Sequence, residues 1–218
     1  MKILSVSDIE MNVIYSPQIV DRFNDIDMII GCGDLPYYYL EFMISMLNKP
    51  LFFVRGNHAP KIEYGADWER QFPLGGRNIH GKTVRAPNGL LLAGVEGSLR
   101  YNTGPNQYTQ RQMWMNVFRL VPGMLLNRMR FGRYLDILVT HAPPWKIHDA
   151  DDRPHQGIKA FRWLDQVFQP AYHLHGHVHL YRQDAKKLTF FGKTRILNTY
   201  GYQITDLTLP VPSSRRKK

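Results

Sequence analysis

The chain has 218 residues, 44% of them hydrophobic, with a formal net charge of +10. That is ample apolar material for one sizeable core, which excludes a disordered chain, and no apolar run approaches the roughly 20 residues that span a bilayer. A single cysteine, Cys32, excludes an internal disulfide, so a cytoplasmic protein is expected.

Ile3 to Val6 is a short apolar run followed by Ser7-Asp8, and it reads as a buried strand because it is too short for a secretion signal. Ser16-Pro17 supplies a cap and a first-turn proline for a helix carrying Ile19, Val20 and Phe23. Met28 to Ile30 forms the second strand, running toward Gly33-Asp34. Pro36 opens an aromatic-rich helix to Asn48, and Leu51 to Val54 is the third strand, leading into Gly56-Asn57-His58. Strand, helix, strand units of this kind give parallel neighbours with helices packed on the sheet.

Leu90 to Val95 is a further strand. Tyr108 to Arg130 is rich in Met, Trp and Leu and favours a helix packed on the core, which Pro122-Gly123 should kink or split. Ile137 to Val139 leads to Thr140-His141. Ile158, Phe161, Leu164, Val167 and Phe168 recur at spacings of helical periodicity and place a helix between Gly157 and Pro170. It feeds Tyr172 to His175, a strand ending at Gly176-His177-Val178-His179. Leu90 to Val95, Leu188 to Phe191, Arg195 to Leu197 and Ile204 to Leu209 together suggest a second, more antiparallel layer. The expected architecture is α/β, a two-sheet mixed β sandwich flanked by helices. It would form one domain over residues 1–210, followed by a basic tail, 211–218, that reads as solvated.

Five strands thus end in Asp, Asn or His. In open α/β sheets ligands bind beyond the carboxyl ends of the strands, so Asp8, Asp34, Asn57, His141 and His177 are expected to converge there. Oxygen and imidazole donors in this mixture suit a pair of divalent transition metals, and a carboxylate can bridge two cations about 3.5 to 4 Å apart. Glycine before Asp34, Asn57 and His177 permits close backbone approach. Read singly, Asp8 and Asp34 could be helix caps, which explains an acid but not Gly-Asn-His and Gly-His-x-His in the same chain; His173 and His175 are core or supporting residues, and Cys32 is a small buried hydrophobe.

Taken in order, the motifs resemble those of the calcineurin-like metallophosphoesterases: Asp-x-His, Gly-Asp, Gly-Asn-His followed by an acid, His, and Gly-His-x-His. Here they read Asp8-Ile9-Glu10, Gly33-Asp34, Gly56-Asn57-His58-Ala59, His141 and Gly176-His177-Val178-His179. The resemblance implies that Asp34 bridges two divalent ions, manganese, iron or zinc. It implies Asp8 and His179 on the first ion, and Asn57, His141 and His177 on the second. A shared hydroxide would then attack a phosphate mono- or diester, with His58 near the leaving group.

Two positions depart from that pattern. Glu10 stands where a histidine is usual; it either ligates the first metal through oxygen, favouring manganese or iron over zinc, or turns away. Ala59 replaces an acid that could have oriented His58. The loop from His141 to His155 should line the substrate pocket, with His148 and His155 as candidate phosphate contacts oriented by Asp149, Asp151 or Asp152, and Arg100 as a further candidate. The expected partner is a phosphate ester and no membrane. A nuclease is the alternative favoured by the positive charge, though no nucleic-acid module is recognisable, and a metal-binding scaffold with weakened chemistry is the other. Such motifs fix the reaction and leave substrate identity and oligomeric state open.

Overall fold

A computed structural model of the chain describes residues 1–59, 62–65, 69–181 and 185–208, so the basic tail at 211–218 lies outside the described residues. In the first third, β1 (Lys2–Ser7), α1 (Ile19–Phe23), β2 (Met28–Gly31), α2 (Tyr37–Leu47) and β3 (Leu51–Phe53) alternate. Four short strands follow: β4 (Glu63–Tyr64), β5 (Glu69–Arg70), β6 (Gly76–Asn78) and β7 (Thr83–Arg85). Next come β8 (Leu91–Val95), β9 (Ser98–Leu99), β10 (Gln107–Tyr108) and the long helix α3 (Gln110–Phe131). The chain continues through β11 (Ile137–Thr140), α4 (Lys159–Phe168), β12 (Tyr172–His175), β13 (Leu188–Phe191), β14 (Thr194–Asn198) and β15 (Gly201–Asp206).

Two main sheets result, in the orders β15-β1-β2-β3-β6 and β13-β14-β12-β11-β8-β7. Neighbours from β1 to β6 are parallel, and β15 is antiparallel to β1. In the second sheet β14, β12, β11 and β8 are parallel, with antiparallel partners only at the two edges. This corrects the expected antiparallel second layer: its centre is parallel, because α3 and α4 provide crossovers long enough to bring β11 and β12 back in the direction of β8, and β13 turns the chain so that β14 runs the same way. It also moves β15 into the first sheet, where all six of its residues pair with β1.

Strand alternation explains the layering. Ile3, Met28, Ile30, Ile137 and Val139 point into an interior shared by both sheets. Their neighbours Leu4 and Ile29 point outward under α1 and α2, and Leu138 points outward under α3 and α4. With both faces covered, the central strands are apolar throughout, which is why they read as short hydrophobic runs.

Helix α1 begins at Ile19 with Gln18 at its cap, and Ser16 and Pro17 form the turn before it rather than the cap itself. Helix α3 runs through Pro122 without a break. Its Thr109-Gln112 capping box fixes the start, Gly132 in the left-handed conformation ends it, and Met113, Val117, Leu120 and Met124 bury one face. Gly123 lies where any Cβ would strike Thr83, so the residue expected to split the helix instead lets it lie against β7. Leu138 is fully buried between β11 and the two outer helices, whereas Val167 on α4 is half exposed. Leu138→Ala should lower the unfolding free energy by about 2–5 kcal/mol and Val167→Ala by less than about 1 kcal/mol in urea titrations. Equal effects would contradict this layering.

Candidate metal centre

Strands β1, β2 and β3 in one sheet, and β11 and β12 in the other, each deliver a functional residue just past their carboxyl ends. Asp8, Asp34 and His177 all take left-handed backbone conformations, with φ of 67°, 53° and 70°. Such geometry is uncommon outside glycine and costs energy, which is repaid only where the surroundings hold it. Here they do. The backbone N–H of Asp8 donates to Gly33 O at 3.2 Å, that of Gly176 to His141 O at 3.0 Å, and that of His177 to both carboxylate oxygens of Asp8 at 3.0 Å. The last contact joins the two sheets at the mouth of the sandwich. A Cβ on Gly56 would collide with the Asp34 carboxylate, and one on Gly176 would sit 2.5 Å from Asp8 Oδ2, so both approaches require glycine.

Asp34, His141 and His177 each aim one donor atom so that all three atoms lie within 4.8 Å of one another. His141 is fully buried, and its Nδ1 donates to Cys32 O at 2.8 Å. Its Nε2 therefore faces the centre, 3.0 Å from Asn57 Oδ1 and 3.1 Å from Asp34 Oδ2. The other Asp34 oxygen accepts the His58 backbone N–H at 2.8 Å. His177 Nε2 donates to Pro154 O at 2.8 Å, which leaves Nδ1 as the ring's acceptor. His179 stands at the rim, Nε2 3.9 Å from Asp8 Oδ1, its ring against Tyr200. Neither Asp8 nor Asp34 caps a helix, since the cap positions of α1 and α2 are held by Gln18 and Pro36.

The other expected residues divide into two groups. His155 belongs to the centre: its ring lies 5.2 Å from that of His177, and Asp152 holds its Nδ1 at 2.6 Å. His58 is at the rim, its Nε2 3.4 Å from Tyr101 Oη. Glu10 is turned toward Tyr38, whose Oη lies 2.6 and 2.7 Å from its two oxygens and shares one proton between them. Arg100 is engaged by Gln107 O and the Gln112 side chain. His148 packs inside, between His175 Nε2 and Thr189 Oγ1, each at 2.9 Å. Burial and nearby positive charge push its imidazole down to about 4. His173, bonded to Asp165 and Thr140, is core, and Cys32 is a buried thiol that burial raises to about 12. Tyr101 was not legible in the sequence. Its Oη accepts from Asn57 Nδ2 at 3.0 Å while contacting His58, and its loop is fixed by Gln107 Oε1. A lone tyrosine in a Gly- and Asn-rich loop carries no periodic signal.

Electrostatics provide a test of whether the site fits a metal. Burial opposes a charge on His141, but Asp34 and then Asp8 outweigh it and raise the imidazole to about 9. Asp34 falls to about 2 although burial works against its charge, because His141 charges and hydrogen-bonds it. Burial raises Asp8 despite the opposing pull of His141. His177 drops to about 3 through burial and the charge of His141, so it stays neutral with a lone pair free. Buried carboxylates, an amide oxygen and a neutral imidazole thus surround one imidazolium proton, and this donor set fits a divalent cation of intermediate hardness. His141 stabilises the metal-free fold fully below its ordinary 6.5, and that contribution is lost as pH rises through about 9. Manganese uptake at pH 7 should therefore release about one proton, and apparent affinity should climb up to about pH 9, as read by calorimetry in buffers of differing ionisation enthalpy. Uptake without proton release would contradict the arrangement.

The family model of the calcineurin-like phosphoesterases matches residues 1–181. No curated protein matches the chain in sequence. Among solved structures, TT1561 of Thermus thermophilus is similar with a TM-score of 0.61 and 15% identity, over 92% of this chain and 89% of that one. GAP50, the anchor in the inner membrane complex of Plasmodium, gives 0.53 and 11% over 91% and 70%. Such low identities speak for the fold alone. The family match, however, runs from β1 through His179 and takes in every residue of the centre, and the chain belongs to the calcineurin-like phosphoesterases.

Proposed function

We propose that the protein hydrolyses a phosphate mono- or diester with the help of two divalent ions, manganese, iron or zinc. The observation that carries this reading is the convergence of Asp34, His141 and His177 at the joint between the sheets, with Asp8 tied to His177 beside them. In this reading Asp34 serves both ions, Asp8 and His179 hold one, and Asn57, His141 and His177 hold the other. Bound cations supply Lewis acidity and lower the pKa of coordinated water. Everything else falls to the chain. Cys32 O and Pro154 O fix the tautomers and ring orientations of His141 and His177, and Tyr101 fixes the Asn57 amide so that its oxygen faces inward. His58 protonates the departing oxygen, held by Tyr101 in place of the acid that Ala59 lacks. His155, oriented by Asp152, is placed to contact a phosphoryl oxygen.

A second reading, a metal-binding scaffold with faded chemistry, is favoured by the engagement of Glu10 with Tyr38, which leaves the first ion one donor fewer. Turnover decides between them. Manganese-loaded protein should cleave p-nitrophenyl mono- or diesters, and Asp34→Asn should lower kcat/KM by more than about 100-fold. Retained metal with no hydrolysis at any pH would select the scaffold. His58→Ala should cost about 10- to 100-fold for poor leaving groups and little for p-nitrophenolate, which leaves without protonation. A loss independent of the leaving group would remove His58 from its role.

A further inference from the structure

Beside the centre, and opening from it, lies a cleft of about 320 Å³. Asp34 and His58 line it together with Leu35, Pro36, Tyr38 and Ala59. Its size falls at the lower end of small-molecule sites, roughly 300 to 1,000 Å³. Glu63 also reaches the wall, but its carboxylate is already committed. It accepts the backbone N–H of Tyr37 at 2.5 Å and of Tyr38 at 3.1 Å, capping the start of α2, which has no side-chain cap of its own. The Tyr38 hydroxyl is likewise committed, to Glu10, and its ring is braced edge-on by Tyr15 at 5.7 Å. The polar groups of Glu63 and Tyr38 are therefore satisfied within the protein, and away from Asp34 and His58 what the described wall offers a ligand is apolar. Position 59 decides this. An acid there would add a carboxylate to the wall, whereas Ala59 adds one methyl group, almost fully buried.

We propose that this cleft is a binding site for an apolar arm of the substrate, an alkyl or aryl ester group attached to the phosphorus held at the centre. The inference rests on the phosphoesterase reading of that centre and adds the substrate class. A group seated between Leu35, Pro36, Tyr38 and Ala59 leaves water with each carbon it buries, and because Asp34 and His58 line the same cleft, such a group adjoins the centre.

Calorimetric titration of the manganese-loaded full-length protein with methyl-, propyl- and hexylphosphonate tests this without turnover. Affinity should tighten by about two- to fourfold for each added methylene. Ala59→Glu should abolish most of that gain while leaving methylphosphonate binding within about threefold, and Tyr38→Ala, an exposed substitution that serves if the first does not fold, should lose at least half of it. A flat series in the wild type, or an unchanged gain in both variants, would overturn the proposal. Hydrolysis of p-nitrophenyl phosphate and of bis(p-nitrophenyl) phosphate measured in parallel separates the two readings. A steep series without turnover keeps the cleft and removes the phosphoesterase activity, and turnover with a flat series does the reverse.

Discussion

Negative charge buried at the joint between two sheets has to be answered by positive charge, and most of the fold around the centre follows from that requirement. Asp8 and Asp34 are both largely withdrawn from water, with side chains 1% and 10% exposed. In a low dielectric such a pair is tolerated only with a cation among them. In the metal-free protein a proton on His141 provides it, held between Asp34 and Asn57 on one side and the Cys32 carbonyl on the other. Left-handed backbone at Asp8, Asp34 and His177 is the local cost of aiming the donors, and the parallel strands that lock these turns come from both halves of the sandwich. The centre is therefore a property of the whole topology: remove the second sheet and neither His141 nor His177 reaches Asp34.

Much of this was legible in the residues themselves. Buried parallel strands are short and apolar, and each was marked by the Asp, Asn or His that ends it, so β1, β2, β3, β11 and β12 and their donors could be read in order. Partners across the fold were less legible. Pairing of β15 with β1 depends on which sheet edge is open, and nothing in Gly201–Asp206 states that. Pro122 promised a break in α3, yet it is exposed, so water can satisfy the carbonyl it frees, and the buried face on either side carries the helix through. His148 shared the loop and the residue type of a phosphate ligand, but only the structure places it against His175 in the interior.

The two departures at Glu10 and Ala59 look independent in the sequence and act on neighbouring places in the structure. Glu10 is drawn to the Tyr38 hydroxyl, which satisfies that hydroxyl within the protein, and Ala59 faces the same cleft without a charge. His58 finds its partner in Tyr101 on the β9–β10 loop. Changes that appear as losses from a motif thus coincide with a differently furnished approach to the same centre.

In the proposed centre Asp8, Asp34, Asn57, His141, His177 and His179 gather around cations. Anomalous diffraction from crystals of the manganese-loaded protein tests it most directly. Two peaks about 3.5 to 4 Å apart are expected, with Asp34 between them; the absence of any peak among Asp34, His141 and His177 would contradict such a centre.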